Sequence, residues 1–415
     1  MGKEGTAMSS EIIPIIDRRP EFVDKPGTHA LIVGVSAYSH LEGGTGTQAN
    51  NTYGLKQLSS TALTAYKVFS WLQECKLETP LVTCRLLLSS SPIEQDIETG
   101  LRDLRGSYPA TRDHFDCAAY GWRDDAESHK KNVTFFYFAG HGIQQINSTN
   151  YKDPILLMED FGRDKYKTLG NTVDTQNLVD GMKDVSARTQ MYFFDCCRNF
   201  LDELKNIRSD VPPVWDAKLG VKDDRLAPVF YAALLGDVAY GIKGEQTYFG
   251  EALLKCLEGG AGECKEFEKF DGEERWYISI DTLCGKIKTQ VNDLNKRKSR
   301  NQDIEVDRTR NRDEEEYICF LDGPPSVDVI FKVEPPEARQ YTRVEIFNDN
   351  KEEVTESEPP IPLEPHPYSG RLDAGYYTIN ARIKPPQRNF QDYLGKHRPV
   401  MPPCYVKNMK VEVKK

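Results

Sequence analysis

Asn132-Val-Thr-Phe-Phe-Tyr-Phe-Ala-Gly-His-Gly142 and Gln190-Met-Tyr-Phe-Phe-Asp-Cys-Cys-Arg-Asn-Phe200 decide how this sequence is read. Each is an aromatic run of strand length that stops abruptly in small or polar residues. Runs that are apolar on both faces predict parallel strands buried within an α/β sheet. The chemistry of such sheets gathers just beyond the carboxyl ends of their strands. The first run delivers His141 between two glycines, and the second delivers Asp195, Cys196 and Cys197. A histidine and a cysteine at one sheet edge can work together, the imidazole taking the thiol proton and later returning one to a leaving group.

Outward from these runs the chain keeps an α/β rhythm. His29 to Val35 and Val82 to Leu88 are further apolar strands, and Leu58 to Leu72 reads as an amphipathic helix. Pro92 opens a predicted helix over 93–104, and 173–185 has helical spacing. Residues 106–131, polar and carrying Asp124-Asp-Ala-Glu127, read as a long loop. Downstream, 227–233 reads as a strand, 249–257 and 278–294 as helices, and 303–316 as a solvated charged loop. Tyr317 to Leu321 is expected to close the sheet. After Pro324-Pro325 the pattern becomes period-two in 327–333, 342–347, 375–383 and 405–413, which predicts a small all-β sandwich. The expected domains are an N-terminal arm (1–27), an α/β domain (28–322) and the β-sandwich (326–415), the last an interaction module.

Composition narrows the function classes. A net charge of −10 argues against a general nucleic-acid binder, which needs Lys and Arg for phosphates. No apolar run reaches the ~20 residues of a membrane span, and Met1-Gly-Lys-Glu-Gly-Thr6 matches only the loose myristoylation pattern. The ten cysteines form no CxxC pair and none has zinc-finger spacing with histidine, so no metal site and no cofactor is expected, and reduced thiols in a cytoplasmic setting are the simplest reading.

Gly140-His141-Gly142 after one aromatic strand and Asp195-Cys-Cys-Arg198 after the next resemble the caspase-like cysteine peptidases: caspases, metacaspases and bacterial relatives. Caspases are known to place the histidine about 50 residues before the cysteine, and His141 and Cys197 lie 56 positions apart. Asp195 stands where caspases carry Gln, which is similar to metacaspases. The resemblance spans roughly 28–320. It implies a mostly parallel sheet sandwiched by helices and a cysteine endopeptidase of protein substrates, kept latent until a protease or regulatory protein activates it. A bacterial defence setting is suggested by the resemblance alone.

The resemblance makes Cys197 the nucleophile and His141 its partner, with Cys196 turned toward packing. Gly142, lacking a side chain, lets its N–H approach a carbonyl closely, so Gly142 and Cys197 together are the candidate oxyanion donors. Asp195 has two readings: a pocket carboxylate selecting Arg or Lys before the scissile bond, or a cap on a helix starting near Cys197. The second acidic residue that metacaspases carry early in their first helix is missing from Leu58-Ser-Ser-Thr-Ala62. Segment 201–226 is the candidate activation loop, with Lys205, Arg208, Lys218, Lys222 and Arg225 as cutting points. The cluster at Asp124 is a weak calcium candidate. The rival to the whole reading is an inactive caspase-like scaffold.

Overall fold

The computed structural model describes residues 12–413, apart from 103, 145–153, 202–210, 217, 219, 311–314, 357–367 and 385–388. Its central sheet has seven strands: β1 (Ile16–Asp17), β2 (Thr28–Val35), β3 (Leu81–Ser89), β4 (Val133–Ala139), β5 (Thr189–Asp195), β6 (Leu226–Tyr231) and β7 (Glu305–Arg310), in the order β1-β3-β2-β4-β5-β6-β7. The inner five run parallel, and β1 and β7 are antiparallel edges. Every residue of β2 and β5 is buried, as two covered faces require. Alternation sends Phe136, Phe138, Tyr192 and Phe194 into one core cluster with Phe115 and Trp122. Phe135, Phe193 and Phe230 stack across the sheet with ring centroids 4.9 and 4.7 Å apart.

Part of the N-terminal arm is an added edge, since β1 pairs with β3. Helix α1 (Thr61–Glu74) lacks a local cap. Its first amides are satisfied from elsewhere: Ala62 N–H donates to Ser36 Oγ at 3.0 Å and Leu63 N–H to the buried Glu94 carboxylate at 3.0 Å. Negative charge at a helix N-terminus is favourable, and Glu94 also accepts from Ser36 and from both the backbone and the hydroxyl of Ser91. The loop that follows β2 is thereby anchored at the sheet edge where the site lies.

Several expectations are corrected. Residues 106–131 are mostly helix α3 (Arg112–Glu127), capped by Thr111 and burying Phe115, Ala118, Ala119, Trp122 and Ala126 at helical spacing. Its other charged residues, which suggested a loop, lie outside the buried set, whereas Arg112 and Asp125 are buried. The helix after Ser91 ends at Ile97 (α2, Pro92–Ile97), followed by one turn of 3-10 helix. The expected helix 173–185 is shortened to α4 (Thr175–Asp180), preceded by a strand, Thr172–Asp174. The charged run 303–316 contains β7, which closes the sheet, whereas Tyr317–Phe320 lies in a separate three-stranded sheet. An edge strand exposes one row of its residues, so charge does not exclude it.

The chain divides into two compact units. One comprises residues 1–254 and 291–319, and the other 255–290 and 320–415. Compactness therefore groups 255–290 with the C-terminal strands. In the second unit a three-stranded sheet (Tyr368–Asp373, Ser326–Glu334, Cys404–Lys410) and a four-stranded one (Glu353–Glu356, Thr342–Phe347, Gly375–Ile383, Arg398–Val400) share a core that includes Val327, Phe331, Ile346 and Ile379. Ser326–Glu334 alternates between buried and exposed positions throughout, the pattern its sequence predicts. Among the described residues no helix is long and apolar enough to cross a membrane, and no disulfide joins any of the ten cysteines.

Candidate active site

Strand register brings the two motifs together. Ala139 on β4 is paired with Asp195 on β5, so His141 and Cys197 each lie two residues past one rung of the ladder. Gly140 N–H donates to the Asp195 carbonyl at 3.3 Å, and beyond it Gln144 N–H donates to the Asn199 carbonyl at 2.9 Å. Gly142 sits against the cysteines: a Cβ built there would lie 2.5 Å from Cys196 Sγ and 2.6 Å from the Cys197 carbonyl oxygen. Only glycine allows this approach. Gly142 is opposite Leu156 while Leu157 N–H bonds the His141 carbonyl. Gly142 is thus in a non-hydrogen-bonded rung and its N–H turns away from that ladder. The Cys197 amide has no hydrogen-bond partner among the described residues.

His141 is held at several points. Its backbone N–H donates to the Tyr38 hydroxyl at 2.7 Å, and its ring lies 5.0 Å from the Tyr38 ring. Its Nε2 is 2.7 Å from the Lys56 carbonyl oxygen, an acceptor only, so Nε2 carries the proton and Nδ1 keeps its lone pair in the neutral ring. Burial lowers the His141 pKa, against the raising effect of the Lys56 carbonyl. The ring is therefore neutral at pH 7 and able to accept a proton.

Cys197 does not hydrogen-bond to His141 here. Its Sγ accepts from Ala239 N–H at 3.3 Å and is 3.7 Å from the Ala239 carbonyl oxygen. The segment carrying Ala239 is tied to the cysteine loop: Arg198 N–H donates to Asp237 O at 3.0 Å, and Gly236 N–H to Arg198 O at 2.9 Å. Burial raises the Cys197 pKa, the Ala239 amide lowers it, and the Asp195 charge raises it. The resting pair is accordingly thiol plus neutral imidazole, a combination suited to general-base activation. Cys196 is buried, and its thiol is pushed far up by burial.

No helix begins at Cys197, so Asp195 does not cap one there. Its side chain is buried, with Oδ2 accepting from Tyr137 Oη at 2.8 Å and from Thr247 Oγ1. Its Oδ1 is buried and has no hydrogen bond of normal length. Burial raises the carboxyl pKa to about 6, although Thr247, Tyr137 and the Gly250 backbone amide pull it down. Tyr137 was legible in principle, because it shares a sheet face with the rungs of Phe193 and Asp195. Tyr38 and Lys56 carry no motif, and the fold brings them to the site together with Ala239 and Thr247.

The acidic cluster on α3 does not form a cation site. Asp124 is exposed, Glu127 accepts from Ser186, and Asp125 is buried against Arg85 and Thr83. A helix spreads consecutive residues around its axis, and no cluster of three or more metal-ligating side chains occurs among the described residues.

A family model, the caspase domain of peptidase family C14, matches residues 28–299, well over half of the chain. The chain belongs to the caspase-domain family. No curated protein matches the sequence. Among solved structures, a protein of Geobacter sulfurreducens is 13% identical with a TM-score of 0.41, over 69% of this chain and 95% of its own. Caspase-1 of Spodoptera frugiperda is 12% identical with a TM-score of 0.38, over 72% of this chain and 96% of its own. Membership in this caspase family gives the α/β domain a peptidase-like function on protein substrates.

Proposed function

We propose that the protein is a cysteine endopeptidase in which Cys197 is the nucleophile, His141 its base and acid, and Asp195 the selector of Arg or Lys before the scissile bond. The observation that carries the catalytic part is the shared rung of Ala139 and Asp195, with Gly142 packed against both cysteines. His141 Nδ1 takes the thiol proton as Sγ adds to the substrate carbonyl. The amides of Gly142 and Cys197 then donate to the oxyanion, in a partly buried site where such bonds are strong. The imidazolium protonates the leaving amine, and water, deprotonated by the same ring, releases the acyl group.

Basic selectivity is supported by Asp195. A buried acceptor without a bond costs about 1–3 kcal/mol, and a guanidinium or ammonium reaching Oδ1 offsets that cost with a charge-assisted bond. Latency is supported by the thiol resting on the Ala239 backbone instead of on His141. Activation follows a cut in 201–226 or the binding of a regulatory protein. A cytoplasmic location fits ten cysteines without a disulfide.

The test is covalent labelling with a peptidyl acyloxymethyl ketone ending in Arg, before and after limited proteolysis, followed by peptide mapping. The proposal expects adduct on Cys197, lost in His141→Ala and absent with an Asp-ending probe. No adduct on Cys197 in any state would favour the inactive scaffold.

A further inference from the structure

Tyr38, Gln57 and Lys56 close a ring of contacts with His141. The Tyr38 hydroxyl accepts the His141 backbone N–H at 2.7 Å and faces the Leu157 carbonyl oxygen at 3.5 Å. It thus bridges the His141 N–H and the Leu157 carbonyl, one half of a rung whose other half, Leu157 N–H to the His141 carbonyl, is closed directly at 3.0 Å. The Gln57 side chain binds both backbone groups of Tyr38, accepting from its N–H at 2.7 Å and donating to its carbonyl at 2.9 Å. The residue before Gln57 is Lys56, whose carbonyl takes His141 Nε2–H at 2.7 Å. Leu58 N–H returns to the Ser36 carbonyl at 2.8 Å, fixing the far side of this turn to the end of β2. One end of His141 is held by Tyr38, the other by Lys56, and Gln57 couples the two.

We propose that Tyr38 and Gln57 are positioning residues that fix the orientation and tautomer of His141, so that Nδ1 is the basic nitrogen offered to Cys197. This rests on the Cys197–His141 reading given above. Tyr38 is fully buried, and its phenol is kept protonated by that burial, so the hydroxyl serves as acceptor and donor together. Loss of the hydroxyl frees the His141 N–H and the Leu157 carbonyl. Loss of the Gln57 amide releases the Lys56 turn. In either case the imidazole rotates or exchanges tautomers, and bond formation at Sγ loses its base while peptide binding is unaffected.

The experiment compares wild type, Tyr38→Phe, Gln57→Leu, His141→Ala and Cys197→Ala. It reads the pH–rate profile of Cys197 alkylation by iodoacetamide through mass spectrometry, kcat and KM on a peptide substrate, and the 15N resonances of labelled histidine. The expected result is a tenfold or greater fall in kcat with KM unchanged in both positioning variants. Their alkylation profiles should move toward that of His141→Ala, and the His141 resonances should shift from the Nε2–H tautomer to a mixture. Wild-type profiles in both variants, or a lowered Tm with an unchanged profile and tautomer, would overturn the positioning role. If wild type and His141→Ala alkylate identically, the dyad itself is wrong and the inference falls with it. The tautomer readout needs no turnover, and Gln57 is only half-buried, so one variant remains informative should Tyr38→Phe fold poorly.

Discussion

At the scale of single residues the account separates the two adjacent cysteines. Cys197→Ala and His141→Ala should abolish peptide hydrolysis, whereas Cys196→Ala should retain it with a lowered Tm, because Cys196 is a buried packing group. Rate assays with thermal melts check both. Asp195→Asn makes a sharper prediction, since function and stability should move in opposite directions. Cleavage after Arg or Lys should fall at least ~30-fold, in line with the ~2–3 kcal/mol of a charge-assisted bond. Asp195 has its folded pKa raised from 3.8 to about 6. Its contribution to stability is fully present below pH 3.8 and is lost as pH rises through about 6, because ionisation then costs more in the folded state. The Asn variant should therefore melt higher than wild type at pH 7.5 and lose that advantage at pH 4. A lower Tm at pH 7.5 would contradict the desolvation account. The proposed nucleophile, base and selector stand out in the sequence because His141 and Cys197 lie two residues past a buried strand and Asp195 ends one. Tyr38, Gln57 and Ala239 were not legible, because loops deliver them and no local periodicity announces a loop's contacts.

At the scale of elements, His141-Gly142 is pressed onto Cys196-Cys197 with no room for a methyl group. Gly142→Ala should lose activity and destabilise by about 1–3 kcal/mol through overpacking. Measured kcat and denaturant midpoint check this, and full activity would mean that the two loops are further apart than described. Helix α3 was misread because its charges were counted before its period. Phe115, Ala118, Trp122 and Ala126 mark the buried face, and Trp122 Nε1–H also donates to the His29 carbonyl at 2.9 Å. Trp122→Ala should cost about 3–5 kcal/mol in chemical denaturation. β7 was missed for the related reason that an edge strand need not be apolar. The longer C-terminal strands were legible, since alternation between a core and solvent is written directly into residues such as 326–334, whereas the strands 353–356, 368–373 and 398–400 were not read from the sequence.

At the scale of the whole molecule, the proposed activation would depend on which basic residues of 201–226 a protease can reach. Lys205 and Arg208 lie outside the described residues. Arg225 is buried, paired with Asp223 and bonded to Gln190 and the Val179 carbonyl, so it is excluded as a cutting point. Lys218 remains largely exposed despite its bond to Asp184. Between these positions the chain is clasped: Arg112 donates to the carbonyls of Pro212 and Pro213 at 3.1 and 3.2 Å, Val214 N–H donates to Asn177 Oδ1 at 2.8 Å, and Trp215 Nε1–H donates to the Asn177 carbonyl at 3.0 Å. A cut at Lys205 or Arg208 should leave two fragments that co-elute, with new N-termini at 206 or 209 and none at 226, as N-terminal sequencing of the products would show.

The central claim is tested most directly by hydrolysis of a peptide–coumarin panel bearing Arg, Lys, Asp or Leu before the scissile bond, with wild type and Cys197→Ala measured before and after limited proteolysis. The account predicts cleavage after Arg and Lys, strengthened by proteolysis and absent from Cys197→Ala. Cleavage after Asp alone would contradict the role of Asp195, and Arg or Lys cleavage that survives in Cys197→Ala would contradict the site itself.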